Sequence, residues 1–154
     1  MEDQASYGTV KSSEKKSVTI ILDIEPIGAV RTTQKQMWAD KRYKKYMNWK
    51  ETVRILWTAE LLKHGYVPET VKFSVIESID FIMTVPFGAK LSKKQMEERK
   101  SRVDTPHTMK PDIDNMIKAF MDAVMKEDSH VHTIGMTRKT WGLHGHIKVV
   151  VLLE

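Results

Sequence analysis

The sequence predicts an α/β fold of the α+β two-layer kind, a mixed β-sheet with two main helices packed against it. Segments rich in β-branched residues alternate with segments of helical periodicity, in the order β–α–β–α–β–β. The chain has 154 residues, of which 41% are hydrophobic and 29% charged, as is ordinary for one globular domain. We therefore expect a single folded domain over residues 17–154, preceded by a flexible polar tail over residues 1–16.

The first half of the chain predicts one strand and one long helix. The stretch SVTIILDIE (17–25) is aliphatic and β-branched, which is typical of a strand. Pro26 and Gly28 open the loop PIGAVR that follows it. From about Asp40 to His64 apolar residues recur at helical spacing, and Gly65 supplies a stop signal.

The second half predicts a long strand, two helices and a closing hairpin. VKFSVIESIDFIMTVP (71–86) is a strand ended by proline, and Ser92 is positioned to cap a short exposed helix. A further helix over about 113–126 carries one apolar face: Ile113, Met116, Ile117, Phe120 and Val124. The last two strand-like segments are expected to form a β-hairpin that turns near residues 142–145.

Composition narrows the functional classes. A net charge of +5 and a pI of about 9.3 favour a polyanionic partner, nucleic acid first. The absence of cysteine excludes disulfides, thiolate metal sites and cysteine nucleophiles. The polar N-terminus does not resemble a secretory signal, and the longest aliphatic run is VVVLL, so we expect a cytoplasmic protein without membrane association.

Two aspartates stand one residue apart in HTMKPDIDNMIKAFMDAV (107–124), directly before the predicted helix. A structural explanation is helix capping, because negative charge at a helix N-terminus contributes about 0.3–1 kcal/mol. A functional explanation is a metal site, because carboxylates held close together repel unless a cation intervenes, and Mg²⁺ prefers such oxygen ligands. Lys118 follows Asp114 by four residues, hence on the same helical face, where its ammonium could contact a scissile phosphate. Spacing alone leaves both explanations for Asp112 and Asp114 open.

The same run, followed by EDSHV and then by Arg138 and Lys139, resembles the signature of the RusA family of Holliday-junction resolvases. The family pattern K-x-D-x-D-N-x-x-K-A-x-x-D-A is matched by Lys110, Asp112, Asp114, Asn115, Lys118, Ala119, Asp122 and Ala123. The clear resemblance covers about residues 104–132, and a weaker one extends to the PIGAVR loop and the first helix. It implies a phage or prophage origin.

The resemblance also implies a function. It is that of a homodimeric, Mg²⁺-dependent, structure-selective endonuclease, with Mn²⁺ as a substitute, that resolves four-way junctions by paired symmetric nicks in DNA recombination and repair. By resemblance Asp112, Asp114 and a later acid bind the metal, and Lys118 assists catalysis. Alignment on EDSHV places the later acid at Asp128, although the connection from the helix is shorter than the family usually has. The alternatives for the third acid are Glu127, Asp104 and Glu77.

Clusters of basic residues are predicted to contact DNA phosphates. The candidates are Arg31, Lys35, Arg42, Lys44, Lys45, Lys93, Lys94 and Lys110. Trp38 is a candidate for stacking on DNA. The simpler explanation for any one lysine is a solvated surface, and only the clusters taken together favour DNA contact.

Two other functions share the same sequence features. One is a junction-binding protein without catalysis, in which the acidic pair is structural. The other is a flap or branch nuclease of phage DNA processing, with the same site and another substrate. The pairs His130/His132 and His144/His146 do not suffice for a zinc site, but His130 or His132 could assist beside the acidic residues.

Overall fold

The computed structural model describes residues 15–31 and 40–154. Its elements, in chain order, are β1 (Lys16–Leu22), α1 (Lys41–Lys63), β2 (Phe73–Thr84), α2 (Lys93–Arg102), α3 (Ile113–Val124), β3 (Thr133–Gly142) and β4 (His146–Leu153). Short 3-10 turns, Pro68–Thr70 and Asp128–His130, precede β2 and β3. A mixed four-stranded sheet with three helices confirms the predicted α+β class. Most of the predicted tail, residues 1–14, lies outside the described residues.

The sheet has the strand order β1-β4-β2-β3, with β4 antiparallel to both of its neighbours and β2 parallel to β3. The predicted hairpin of the last two strands is therefore wrong, because β2 lies between them. Gly142 pairs with Thr84 and His146 pairs with Ile82, so the connection from β3 to β4 crosses over the end of β2. Strand-like patterns specify the elements themselves, whereas the long, largely buried β2 decides which strand occupies the centre.

Helices α1 and α3 cover one face of the sheet. The buried side chains of α1 recur every three or four residues, at Tyr46, Trp49, Val53, Trp57 and Leu61. The Trp57 ring lies 5.6 Å from that of Phe73 on β2 and 5.8 Å from that of Phe120 on α3, measured between ring centroids. This aromatic cluster joins the two layers.

The ends of α1 agree with the predicted start near Asp40 and the predicted stop at Gly65. The Asp40 carboxylate accepts a hydrogen bond of 2.8 Å from the Arg42 N–H group, which caps the first turn. At the other end Gly65 adopts a φ of +83°, a conformation that residues with a side chain rarely adopt. These two residues set the length of the helix and therefore the position of its basic first turns.

Helix α2 forms without a hydrophobic core, since none of its residues is buried. Ser92 and Gln95 form a reciprocal capping box, in which each side chain accepts a hydrogen bond from the backbone N–H of the other. Local bonds thus stabilise a basic helix on the surface, as the sequence predicted. Among the described residues no helix has the length and apolar character needed to span a membrane.

Candidate active site

The two motif aspartates lie at the start of α3 with exposed side chains. Asp112 occupies the N-cap position in an extended conformation, and Asp114 lies in the first turn. The Asp112 side chain makes no capping hydrogen bond. No ion pair joins either carboxylate to another part of the described chain. Helix capping therefore does not explain Asp112. The carboxylates of Asp112 and Asp114 are both accessible to a ligand.

The loop of residues 26–31 packs against the same end of α3. The Ala29 N–H group donates a hydrogen bond of 3.1 Å to the Asn115 carbonyl. A Cβ atom added at Gly28 would lie 2.8 Å from the Cβ atom of Pro111, which is closer than real contacts allow. Only glycine lets the loop approach this closely, and the approach places Ala29, two residues before the exposed Arg31, against the start of α3.

Lys118 forms an ion pair further along α3. Its Nζ atom lies 3.6 Å from Oδ1 of Asp122, with 41% of the lysine side chain exposed. Oδ2 of Asp122 accepts a hydrogen bond of 3.1 Å from the Tyr46 hydroxyl of α1. Burial and the Asp122 carboxylate raise the pKa of Tyr46 above its usual value, so the phenol keeps its proton. Sequence spacing placed Lys118 beside Asp114, but it could not show this link to a tyrosine on another helix.

Asp128 lies beyond the opposite end of α3. The helix has 12 residues and is therefore about 18 Å long. The neighbouring Glu127 caps the 3-10 turn by accepting a hydrogen bond from the Ser129 N–H group. Hydrogen bonding from the Ser129 side chain, followed by that from its N–H group, lowers the pKa of Glu127. Asp128 itself is exposed. Within residues 15–31 and 40–154 no three acidic or histidine side chains come together as a metal site, so one chain does not gather Asp112, Asp114 and Asp128.

The remaining candidates for a third acid have structural neighbours elsewhere. Glu77 accepts a hydrogen bond of 2.7 Å from the Ser17 hydroxyl, on the face of the sheet turned away from the helices. Asp104 adopts a φ of +68°, and its N–H group donates to the Trp141 carbonyl at 2.8 Å. The possible helper His132 is exposed, and its Nδ1 atom lies 2.8 Å from the Thr133 hydroxyl.

The basic candidates occupy several exposed segments. Arg42, Lys44 and Lys45 lie in the first turns of α1, and Lys93 and Lys94 begin α2. Lys110, on the loop that leads to α3, and Arg31, on the loop that packs against the start of α3, are also exposed. Two further candidates, Lys35 and Trp38, lie outside the described residues.

Comparison with known proteins decides the family. A family profile described as Endodeoxyribonuclease RusA matches residues 23–152, nearly the whole chain. The chain belongs to the RusA family. It is thus an endodeoxyribonuclease of a family that resolves Holliday junctions and binds branched DNA, and nucleases of this kind generally use a divalent metal ion. No curated protein matches the sequence.

The residues of this RusA chain fit a hard divalent ion in part. Asp112 and Asp114 supply two exposed carboxylates one residue apart, and Mg²⁺ in proteins is often bound by one or two carboxylates together with water. The third acid that the RusA signature implies, Asp128, lies at the far end of α3. The donor chemistry of the aspartate pair therefore agrees with the family, while Asp128 of the same chain does not join it in the described structure.

A buried histidine lies next to the RusA motif, and no pattern in the sequence indicates its burial. His107 is only 5% exposed, and its ring centroid lies 4.3 Å from that of Trp141 on β3. Its Nδ1 atom has no hydrogen-bond partner among the described residues. Burial, followed by the nearby Lys139 ammonium, lowers the pKa of His107 below its usual 6.5. The neutral ring is part of the support beneath the loop that leads to Asp112.

The lowered pKa of His107 predicts that the protein loses stability in mild acid. Below about pH 6.5 the unfolded chain takes up a proton on this histidine that the folded chain does not, so unfolding becomes easier as the pH falls. For one proton the free energy of unfolding can fall by at most about 1.4 kcal/mol for each pH unit. Urea unfolding from pH 8 to pH 5 measures it, and His107→Phe, which keeps an aromatic ring on Trp141, should remove this part of the pH dependence. An equal pH dependence in both proteins would contradict the prediction.

Proposed function

We propose that this protein is a Mg²⁺-dependent endonuclease that resolves Holliday junctions by paired symmetric nicks, acts as a homodimer and accepts Mn²⁺ in place of Mg²⁺. The main support is the pair of exposed carboxylates of Asp112 and Asp114 in a chain of the RusA family. Among residues 15–31 and 40–154 neither carboxylate forms an ion pair, and Asp112 makes no capping hydrogen bond. Residues 17–154 form the nuclease domain in this proposal. Because the substrate is DNA undergoing recombination, the cytoplasm is the expected place of action.

The outer edge of β3 is the surface we propose for the dimer. Among the described residues, β3 has β2 on one side, and on the other it pairs only near its end with the segment of residues 104–107. Residues 133–137 thus present an edge without a neighbouring strand, and Met136 is 63% exposed. Unpaired strand edges bind further strands readily. Antiparallel pairing of this edge with itself is self-complementary, as a two-fold interface requires.

Such a dimer brings the separated acids together. When residues 133–137 of two chains pair antiparallel, residue 133 of one chain lies beside residue 137 of the other. Asp128 of the partner subunit, which precedes β3, would then lie near Lys139, whose side chain binds the loop that enters Asp112. The other edge strand of the sheet, β1, lies far from these residues in the strand order, so pairing there would leave the acids apart.

The proposed chemistry assigns a role to each side chain. Asp112, Asp114 and Asp128 of the partner subunit would hold a divalent ion, which in such sites supplies Lewis acidity and lowers the pKa of bound water. Lys118, partly exposed beside Asp122, would contact the phosphate as negative charge develops on it. The basic first turns of α1 would bind the DNA arms. A two-fold dimer presents two equivalent sites to the two-fold junction, which accounts for symmetric nicking.

The direct test compares cleavage of matched substrates. A four-way junction, a flap, a fork and a linear duplex of shared sequence are incubated with the protein in Mg²⁺, in Mn²⁺ and with a chelator. We expect the junction to be cut into two nicked duplexes that ligase can seal, only when a divalent ion is present. Equal cutting of the linear duplex would overturn the resolvase assignment, preferred cutting of flaps would indicate the branch nuclease, and binding without any cutting would indicate a junction-binding protein.

The basic first turns of α1 are predicted to bind DNA without taking part in cleavage. Replacing Arg42, Lys44 and Lys45 together by alanine should weaken junction affinity, because every phosphate that these side chains neutralise releases counterions from the DNA. The slope of log affinity against log salt should fall by about one for each phosphate that is no longer neutralised. Gel shifts at several salt concentrations measure both. Replacing Lys63, at the other end of α1, is the control, and an unchanged slope in the triple variant would exclude this surface from DNA binding.

A further inference from the structure

Lys139 holds the loop that enters the acidic site. Its Nζ atom donates hydrogen bonds to the carbonyl oxygens of Met109 and of Pro111, the latter at 2.8 Å. Its own carbonyl accepts a hydrogen bond of 3.0 Å from the His107 N–H group. Lys139 therefore binds the loop at three alternate residues, His107, Met109 and Pro111. Pro111 directly precedes Asp112.

The backbone of Lys139 is held in place by the sheet, so its side chain can fix the loop of residues 107–111. It belongs to β3 and pairs with Phe81 of β2, which is almost fully buried. Hydrogen bonds between Trp141 and residues 104–105 fix the preceding part of the loop to the same strand. A lysine ammonium has three donors, and two of them are already used on carbonyls in this arrangement. Charge-assisted bonds of this kind are stronger than neutral ones, so the loop geometry depends on the ammonium.

The neighbouring cation behaves differently. Arg138 points to the opposite face of the sheet, where its Nε atom lies 2.8 Å from Oδ1 of Asp80. The basic pair at the end of the family signature is thus divided between two faces. Of these two cations Lys139 is the one that reaches the loop before Asp112, and it does so through the backbone carbonyls of Met109 and Pro111.

We propose that Lys139 is a positioning residue of the acidic site: its ammonium fixes the carbonyls of Met109 and Pro111 and thereby sets the place of the Asp112 carboxylate. It is not a phosphate-binding residue, although a lysine on a basic nuclease would ordinarily be assigned to DNA. This inference rests on the proposed metal-dependent function for its catalytic consequence, but the loop support itself does not require it. Residues that orient metal ligands commonly change metal affinity about 10–100-fold when they are replaced.

The test uses the whole protein with three variants. Lys139→Met keeps the length of the side chain and removes its charge and donors, Lys139→Arg keeps a cation, and Arg138→Met is the matched control on the same strand. Hydrogen exchange of residues 107–112 is measured without DNA and without metal. We expect faster exchange in Lys139→Met alone, with Lys139→Arg retaining most of the protection.

Metal and DNA measurements separate positioning from phosphate binding. For Lys139→Met we expect the Mn²⁺ affinity, measured by calorimetry, to fall by about 10–100-fold. The Mg²⁺ concentration needed for half-maximal cleavage should rise by a similar factor. Junction affinity in chelator, and its salt dependence, should stay those of the wild type. A fall in the salt slope of about one, with unchanged loop exchange and metal dependence, would show a phosphate contact instead and overturn the inference.

The outcomes for function and for positioning can be told apart. If the wild-type protein cuts no junction, the proposed function fails, while hydrogen exchange still decides whether Lys139 holds the loop. If Lys139→Met does not fold, as judged by circular dichroism, Lys139→Gln, which removes the charge and keeps a polar end, carries the test. In that variant a higher Mg²⁺ concentration for half-maximal cleavage with unchanged junction affinity supports the inference. Wild-type metal dependence with lower junction affinity overturns it.

Discussion

Asp114→Asn is expected to abolish cleavage of four-way junctions while junction affinity is kept or increased. The amide has nearly the shape of the carboxylate but lacks the charge that a divalent ion requires. Loss of the metal contribution, several kcal/mol of transition-state stabilisation, corresponds to a cleavage rate lower by about 10²-fold or more. Affinity should not fall, because the exposed carboxylate repels phosphates and its neutralisation removes that repulsion.

Single-turnover cleavage gels and gel shifts in chelator measure the two effects separately. Glu97→Gln is the matched control, since it makes the same chemical change at an exposed acid of α2. It should cut at the wild-type rate. The assignment of Asp114 fails if Asp114→Asn cuts as fast as the control. It also fails if the loss of cleavage is accompanied by an equal loss of junction binding.

Much of the fold could be predicted from local physical signals. Asp40 and Gly65 bound α1, and Ser92 begins α2, because capping and left-handed backbone conformations depend on the residue itself. The pairing of strands could not be predicted in the same way. Nothing local to β3 or β4 indicates that β2 lies between them, since that arrangement depends on the burial of a strand that comes much earlier in the chain, with Val75 paired to Thr133 and Phe73 to Leu153.

The candidate site also contains features that neighbouring residues reveal and features that depend on residues distant in the chain. Asp112 and Asp114 could be found because they are adjacent in the sequence and stand at a helix start. The links from Tyr46 to Asp122 and from Lys139 to the loop before Asp112 join residues far apart in the chain, so no spacing rule reveals them. Asp128 is an intermediate case, because the sequence identifies it as an acid of the signature, whereas its distance from the aspartate pair follows only from the length of α3.

Asp128→Asn is expected to abolish cleavage as fully as Asp114→Asn, whereas Glu127→Gln should keep most of it. Glu127 already accepts a hydrogen bond from the Ser129 N–H group, and glutamine can still accept that bond. Asp128 is exposed at the turn that leads to the free edge of β3. Cleavage rates of the two variants rank the two acids, and the reverse ranking would mean that Glu127 is the metal ligand.

A mixed dimer tests whether the acid comes from the partner. Chains carrying Asp114→Asn and Asp128→Asn are produced together with different affinity tags, and dimers that carry both tags are purified, their size being checked by light scattering. If the partner supplies Asp128, one site of the mixed dimer contains both altered residues and the other contains neither. The intact site should then nick one strand of the junction, although each pure variant is inactive.

Completion within one chain predicts a different result, because each site of the mixed dimer would then carry one altered residue and no strand would be cut. The same measurement therefore separates the two arrangements without depending on the absolute rate. A single nick leaves the junction unresolved, so the product runs as a nicked four-way junction on a native gel and as one shortened strand on a denaturing gel. Paired cuts cannot arise in either arrangement, because the altered chains cannot reassociate into a wild-type dimer. An inactive mixed dimer of the correct size would contradict the proposal that Asp128 of the partner subunit completes the site.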